Sequence, residues 1–231
     1  MGYEPLIQQN PLRVLNMIKE SNQLGLIMAR AGLGKTALLV QIALDAILRG
    51  KRVIHVSIGE SIDKTKKWYD GILSTILQEY SVTQPHELID MVARHRMIMT
   101  FKVAAFTRSR LEERLNDLVL QDIFRPNCLV VDGFDFEKTD RAALEDLKDL
   151  VENMGMQAWF SAICHRGDDR CSPAGVPAPC HHIDDLFDMI ILLKPEQDAS
   201  IQLDIIRNSG EQIKNSNGLR LDPTTMMVKA M

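Results

Sequence analysis

Met28-Ala29-Arg30-Ala31-Gly32-Leu33-Gly34-Lys35-Thr36 is the stretch on which the fold turns. It follows the apolar run Leu24-Gly25-Leu26-Ile27-Met28 and opens a long apolar segment, Ala37 to Leu48. Strand, glycine-rich turn and helix, in that order, frame a phosphate-binding loop. Small residues let successive backbone N–H groups close around a phosphate, and the helix start adds its partial positive charge. Arg30, Ala31, Gly32, Leu33, Gly34, Lys35, Thr36 and Ala37 then surround the phosphates. Lys35 is expected to reach the β- and γ-phosphates, and the Thr36 hydroxyl to bind Mg²⁺. Ala29 stands at the usual first glycine of such loops.

Downstream, strands and helices alternate, as an α/β fold requires. Arg52 to Ser57 reads as a strand and runs into Ile58-Gly59-Glu60-Ser61. Glu60 falls just past its carboxyl end, the edge where open parallel sheets bind ligands. A carboxylate there can orient or deprotonate water; it can equally favour the start of the next helix. Residues 62–80 read as a helix with Trp68, Ile72, Ile76 and Leu77 on its buried side. Pro85 opens a helix to Arg94, and Met97 to Val103 reads as a strand. Ser109-Arg110-Leu111-Glu112 has the pattern of a capping box. Cys128-Leu129-Val130-Val131-Asp132 is an apolar strand ending in an acid, which suits the Mg²⁺ side of the same site. Asp135 reads as a loop residue. A helix from Asp140 to Met154 and a strand from Ala158 to Ile163 follow. That strand delivers Cys164, His165 and Arg166 to the ligand edge, either as γ-phosphate contacts or as a polar strand end.

The remaining pattern supports one domain over residues 1–231. A lead-in helix is expected over 4–20, within the opening segment 1–20, and an irregular loop over 167–182. The loop carries Cys171, Cys180, His181 and His182, but the spacing lacks paired CxxC ligands, so a surface loop is favoured over a zinc site. Strands are expected at Met189–Leu193, Ser200–Ile206 and Leu219–Leu221. The net charge of −4 offers no platform for non-specific nucleic-acid binding. From Cys164 to Leu186 two arginines face four aspartates, which also disfavours DNA. Four cysteines without a secretory signal pattern suggest a reducing, cytoplasmic setting. The longest apolar runs are too short to span a bilayer.

Taken together, these motifs resemble the RecA-like P-loop NTPase core, and more narrowly the branch of the KaiC clock ATPases and DnaB replicative helicases. Ala29-Arg30-Ala31-Gly32-Leu33-Gly34-Lys35-Thr36 is similar to the helicase version, which also begins Ala-Arg. Val56-Ser57-Ile58-Gly59-Glu60-Ser61 is similar to the segment carrying that branch's catalytic glutamate. Arg207-Asn208-Ser209-Gly210 and Leu221-Asp222-Pro223 resemble its last strands. The resemblance implies a twisted, mainly parallel sheet between helices, with antiparallel hairpin strands at the C-terminal end. It implies ATP and Mg²⁺ as cofactors, and a homo-oligomer, in some members a ring. Carried over, Lys35 and Thr36 hold phosphate and Mg²⁺, Asp132 supports Mg²⁺, and Glu60 is the catalytic base. Arg207 matches the residue offered to a neighbour's γ-phosphate. Gly59 replaces the first acid of the glutamate position, and Ile205 replaces a lysine near Arg207.

The resulting expectation is an Mg²⁺-dependent ATPase acting as an assembly or regulatory switch. The alternatives are a nucleotide-gated binding module without turnover, a DNA-stimulated helicase-like ATPase, and a small-molecule kinase.

Overall fold

The computed structural model describes residues 3–12, 23–208, 211–212 and 218–230. The elements in chain order are α1 (Glu4–Gln9), β1 (Leu24–Ala29), α2 (Lys35–Leu48), β2 (Val53–Ile58), α3 (Ile62–Glu79), α4 (Pro85–His95) and β3 (Arg96–Phe101). Then come α5 (Arg108–Leu120), β4 (Cys128–Asp132), α6 (Arg141–Asn153), β5 (Gln157–Ile163), β6 (Met189–Pro195), β7 (Ile201–Asn208), β8 (Glu211–Gln212), β9 (Leu219–Leu221) and β10 (Val228–Ala230). Among the described residues, the strands form one open sheet in the order β10-β9-β7-β6-β1-β5-β4-β2-β3, with β8 paired to β7. From β6 to β3 all pairs are parallel, while the pairs among β6, β7, β8, β9 and β10 are antiparallel. The chain is therefore α/β, with a mainly parallel sheet and antiparallel C-terminal strands.

Two-sided burial explains the continuous apolar runs of the central strands. Residues of β1 and β2 are all buried. Alternate residues feed two cores. Ile27, Ala29, Val53, Val130 and Trp159 meet α2, α3 and α4, while Leu26, Met28, Val56, Leu129 and Phe160 meet α5 and α6. Gly25 is required beneath Trp159, because a Cβ there would lie 2.3 Å from the indole. Helix α2 is buried continuously from Ala37 to Ile47. Each fully buried Leu or Ile on it contributes about 1.5–3 kcal/mol through transfer from water. Its two buried polar groups are partnered. Gln41 donates to the Met226 carbonyl at 2.8 Å and accepts from the Val228 N–H at 2.9 Å. Asp45 accepts from Asn10 at 2.7 Å and pairs with Arg49.

Several expected boundaries shift. The lead-in helix ends at Gln9, where Asn10 turns extended with ψ 118°. Pro11 follows, and a residue before proline is sterically pushed out of the helical region. Residues 13–20 of that expected helix lie outside the described residues. Strand β3 ends at Phe101 and passes into a 3₁₀ turn at Val103–Ala105. Helix α5 begins at Arg108 and is capped by Thr107, two residues before the expected cap Ser109, with the Thr107 hydroxyl accepting from the Arg110 N–H. The buried side of α3 is Thr65, Tyr69, Ile72, Leu73 and Ile76, so Tyr69 rather than Trp68 enters the core. The 167–182 segment is less superficial than a surface loop: Val176, Ala178 and Cys180 are buried. Among the described residues no helix is long and apolar enough to cross a membrane.

Candidate functional site

The turn between β1 and α2 is built by two glycines with left-handed backbones, Gly32 at φ +80° and Gly34 at φ +84°. L-residues avoid that region, so glycine lets the chain reverse tightly into the helix. Gly34 also packs on Leu221, which a Cβ would meet at 2.4 Å. It is the N-cap of α2, and no side chain caps the helix. The first N–H groups of a 14-residue helix thus lack a capping side chain, the arrangement that receives anions.

Lys35 Nζ bends back to the loop and donates to the carbonyls of Arg30 at 3.1 Å and Ala29 at 3.3 Å. Burial lowers its pKa, with the nearby Asp132 carboxylate opposing that shift. Thr36 Oγ1 donates to Asp132 Oδ2 at 2.7 Å, joining the start of α2 to the end of β4. The second carboxylate oxygen accepts from Ser161 Oγ at 2.5 Å, and the Gly133 N–H in turn donates to Ser161 Oγ at 3.3 Å. Asp132 is therefore fixed on both oxygens by hydroxyls from neighbouring elements. Gly133, at φ +84°, passes so close to β2 that a Cβ would lie 2.5 Å from the Ile58 carbonyl oxygen.

These groups open onto a cavity of about 490 Å³, within the range of small-ligand sites. Ala31, Gly32, Lys35, Thr36 and Asp132 line its phosphate-loop side, and Glu60, Lys64 and Trp68 line the α3 side. Glu137 and His165 complete the wall. Glu60 follows Gly59, whose φ of +83° turns the chain out of β2. Its carboxylate is half exposed and holds the Lys64 ammonium at 2.5 Å. Ser61 then caps α3.

The remaining expected site residues are placed differently. Arg30 and Leu33 line a neighbouring cavity of about 550 Å³ together with Cys164, His165 and Arg166. Ala37 is fully buried and contributes only its backbone. Arg207 lies away from its own chain's phosphate loop. It pairs across β6 with Ile190, which is level with Leu26, whereas the phosphate loop leaves the sheet after Ala29. Its guanidinium donates to the Asp184 carbonyl at 2.9 Å and the Phe187 carbonyl at 3.4 Å, with the side chain 12% exposed. That engagement braces β7 against the segment before β6 and holds Arg207 away from its own chain's phosphate loop.

The hydroxyl and carboxylate oxygens of Thr36 and Asp132 form the hard donor pair that Mg²⁺ prefers, and the uncapped helix start suits a phosphate. The donor set of the loop therefore fits an Mg²⁺-bound polyphosphate. Among the described residues no group of three or more His, Cys, Asp or Glu side chains is placed to hold a metal by itself. Burial pushes the Cys164 thiol up to about 11 despite Lys35 and Arg30 nearby.

Three participants were not read from the sequence: Ser161, Gly133 and Glu137. Ser161 had a signal, a lone hydroxyl in the apolar run Ala158–Ile163. No protein-family model matches the chain, and no curated protein matches it.

Proposed function

We propose that this chain binds Mg²⁺·ATP at the β1–α2 loop and hydrolyses it, as a RecA-like ATPase. The carrying observation is the contact of Thr36 with Asp132 beside Lys35, at the uncapped start of α2. Backbone N–H groups of the loop and the Lys35 ammonium hold the β- and γ-phosphates. Thr36 and Asp132 hold Mg²⁺, which neutralises charge on the transferred phosphoryl group. Ser161 keeps the Asp132 carboxylate turned toward Thr36. The cavity wall offers several groups able to take a proton from water, among them Glu60 and His165. Arg207 is engaged inside its own chain, so acting on a neighbour's γ-phosphate would require release of those bonds. ATP hydrolysis within a homo-oligomer as an assembly or regulatory switch fits this better than DNA-driven motion.

The test compares wild type with Lys35→Ala in nucleotide titration and phosphate release. The variant is expected to lose at least about tenfold in Mg²⁺·ATP affinity and most of its turnover, the scale of one lost charge-assisted contact. Unchanged affinity and turnover would remove the assignment. A second reading, nucleotide-gated binding without turnover, is favoured by the Glu60–Lys64 pair, which occupies the expected base. Tight ATP binding with no phosphate release in the wild type would select it.

A further inference from the structure

We infer that His165, oriented by Glu137, takes the proton from the water that attacks the γ-phosphate. This rests on the reading of Lys35, Thr36 and Asp132 as a nucleotide site.

His165 lies just beyond the carboxyl end of β5. The preceding residue pins that end to the phosphate loop, for the Cys164 N–H donates to the Ala29 carbonyl at 2.9 Å. Glu137 lies on the loop that leaves β4 after Asp132. Asp135 braces this loop, bonding the Lys138 ammonium at 2.8 Å and, through its carbonyl, accepting from the Thr139 hydroxyl at 2.6 Å. His165 Nε2 and Glu137 Oε1 meet at 2.9 Å. Both residues line the same cavity as Lys35, Thr36 and Asp132. Two loops carrying site residues thus converge in an imidazole–carboxylate pair on the cavity wall.

The chemistry follows from the pairing. An imidazole that commits Nε2–H to a carboxylate keeps its lone pair on Nδ1, so it accepts rather than donates there. Glu137 fixes that tautomer and stabilises the imidazolium that forms. In the step, the water oxygen bonds to the γ-phosphorus as the bond to the β–γ bridging oxygen breaks. The water proton passes to Nδ1, ADP and phosphate depart, and the imidazolium returns its proton to solvent. Glu60 is less suited, because its carboxylate already holds Lys64 and that contact must open before it accepts a proton. The Glu137–His165 contact has the opposite effect: it strengthens as the proton arrives.

The experiment measures phosphate release and Mg²⁺·ATP affinity for wild type, His165→Gln, His165→Ala, Glu137→Gln, Glu137→Asp and Glu60→Gln. Both side chains of the pair are more than half exposed, and melting curves check that each variant folds. His165→Gln is expected to lower kcat by about 10²-fold or more, the scale of a lost general base, with affinity held within about threefold. Added imidazole is expected to restore part of the rate to His165→Ala. Glu137→Gln is expected to lower kcat by about tenfold, and Glu137→Asp to recover part of it, as an orienting partner requires. Glu60→Gln is expected to lower kcat by less than His165→Gln does in the same comparison. The inference is overturned if His165→Gln keeps its rate, if it loses affinity in step with rate, or if only Glu60→Gln is inactive. Wild type that binds ATP without turnover overturns it while leaving the nucleotide site intact. Wild type that binds no ATP removes both.

Discussion

Ser161 shows what one hydroxyl does in a buried strand. It donates to Asp132 and accepts from the Gly133 N–H, so it sets both the carboxylate and the turn that follows it. Ser161→Ala deletes these two bonds without adding bulk. Each is worth about 1 kcal/mol net, more where one partner is charged. The expected result is a loss of about three- to tenfold in nucleotide affinity with Mg²⁺ present, and no change without it, because the carboxylate is freed from the orientation that serves the metal. Calorimetric titration in the two buffers checks this. Equal losses in both would mean that Ser161 supports the loop and not the metal side. The sequence offers Ser161 as an oddity within an apolar run but not its partner. The partner follows from register: Val131 pairs with Phe160, which brings the next residues, Asp132 and Ser161, side by side.

At the scale of elements, what was legible is what local chemistry decides. The apolar stretch from Ala37, the Gly32 and Gly34 turn, and the acid closing β4 each carry their signal within a few residues, and each appears where that signal lies. Boundaries governed by competing local signals moved. Ser109-Arg110-Leu111-Glu112 has the composition of a helix start, yet Thr107 is already a competent cap two residues earlier and wins. On α3 both Trp68 and Tyr69 are large enough for the core; Tyr69 takes the place because its hydroxyl reaches His55 Nδ1 at 3.1 Å. Neither helix periodicity nor side-chain size reveals that partner. The same limit hides the role of Gln41, which ties α2 to the last strand through Met226 and Val228. Gln41→Met fills similar volume but strands the buried Val228 N–H and the partly buried Met226 carbonyl. A loss of about 2 kcal/mol in unfolding free energy is expected from those unpaired groups. Hydrogen exchange at the Val228 amide should accelerate beyond the global effect. Unchanged exchange there would mean that α2 and β10 are held together by apolar packing alone.

At the scale of the molecule, the site exists because four strand ends converge. β1, β5, β4 and β2 are neighbours in that order, so Thr36, Ser161, Asp132 and Ser57 come to one edge. Strand order is a long-range property, which explains why Thr36 and Asp132 were legible singly while Ser161, Ser57 and the network joining them were not. The same sheet buries a titratable group behind the site. His55 is fully buried on β2, with Nε2 unpartnered among the described residues and Arg96 over the adjoining Tyr69 ring at 4.5 Å. Burial lowers its pKa from 6.5 to about 4, with the Asp132 carboxylate pulling upward and Arg96 downward. The folded chain therefore refuses a proton that the unfolded chain accepts between those values. Stability contributed by neutral His55 is complete above about pH 6.5 and falls as pH drops toward 4. Over that window the loss is on the order of 2–3 kcal/mol. His55→Gln keeps a group able to bond Tyr69 but cannot titrate. Denaturant unfolding of both proteins at pH 7 and pH 4.5 separates this from the titration of carboxylates, which the two share. The wild type is expected to lose about 2–3 kcal/mol more than the variant on acidification. Parallel losses would show that His55 takes up a proton as readily in the folded core as in the unfolded chain, with Asp132 balancing burial and Arg96 there.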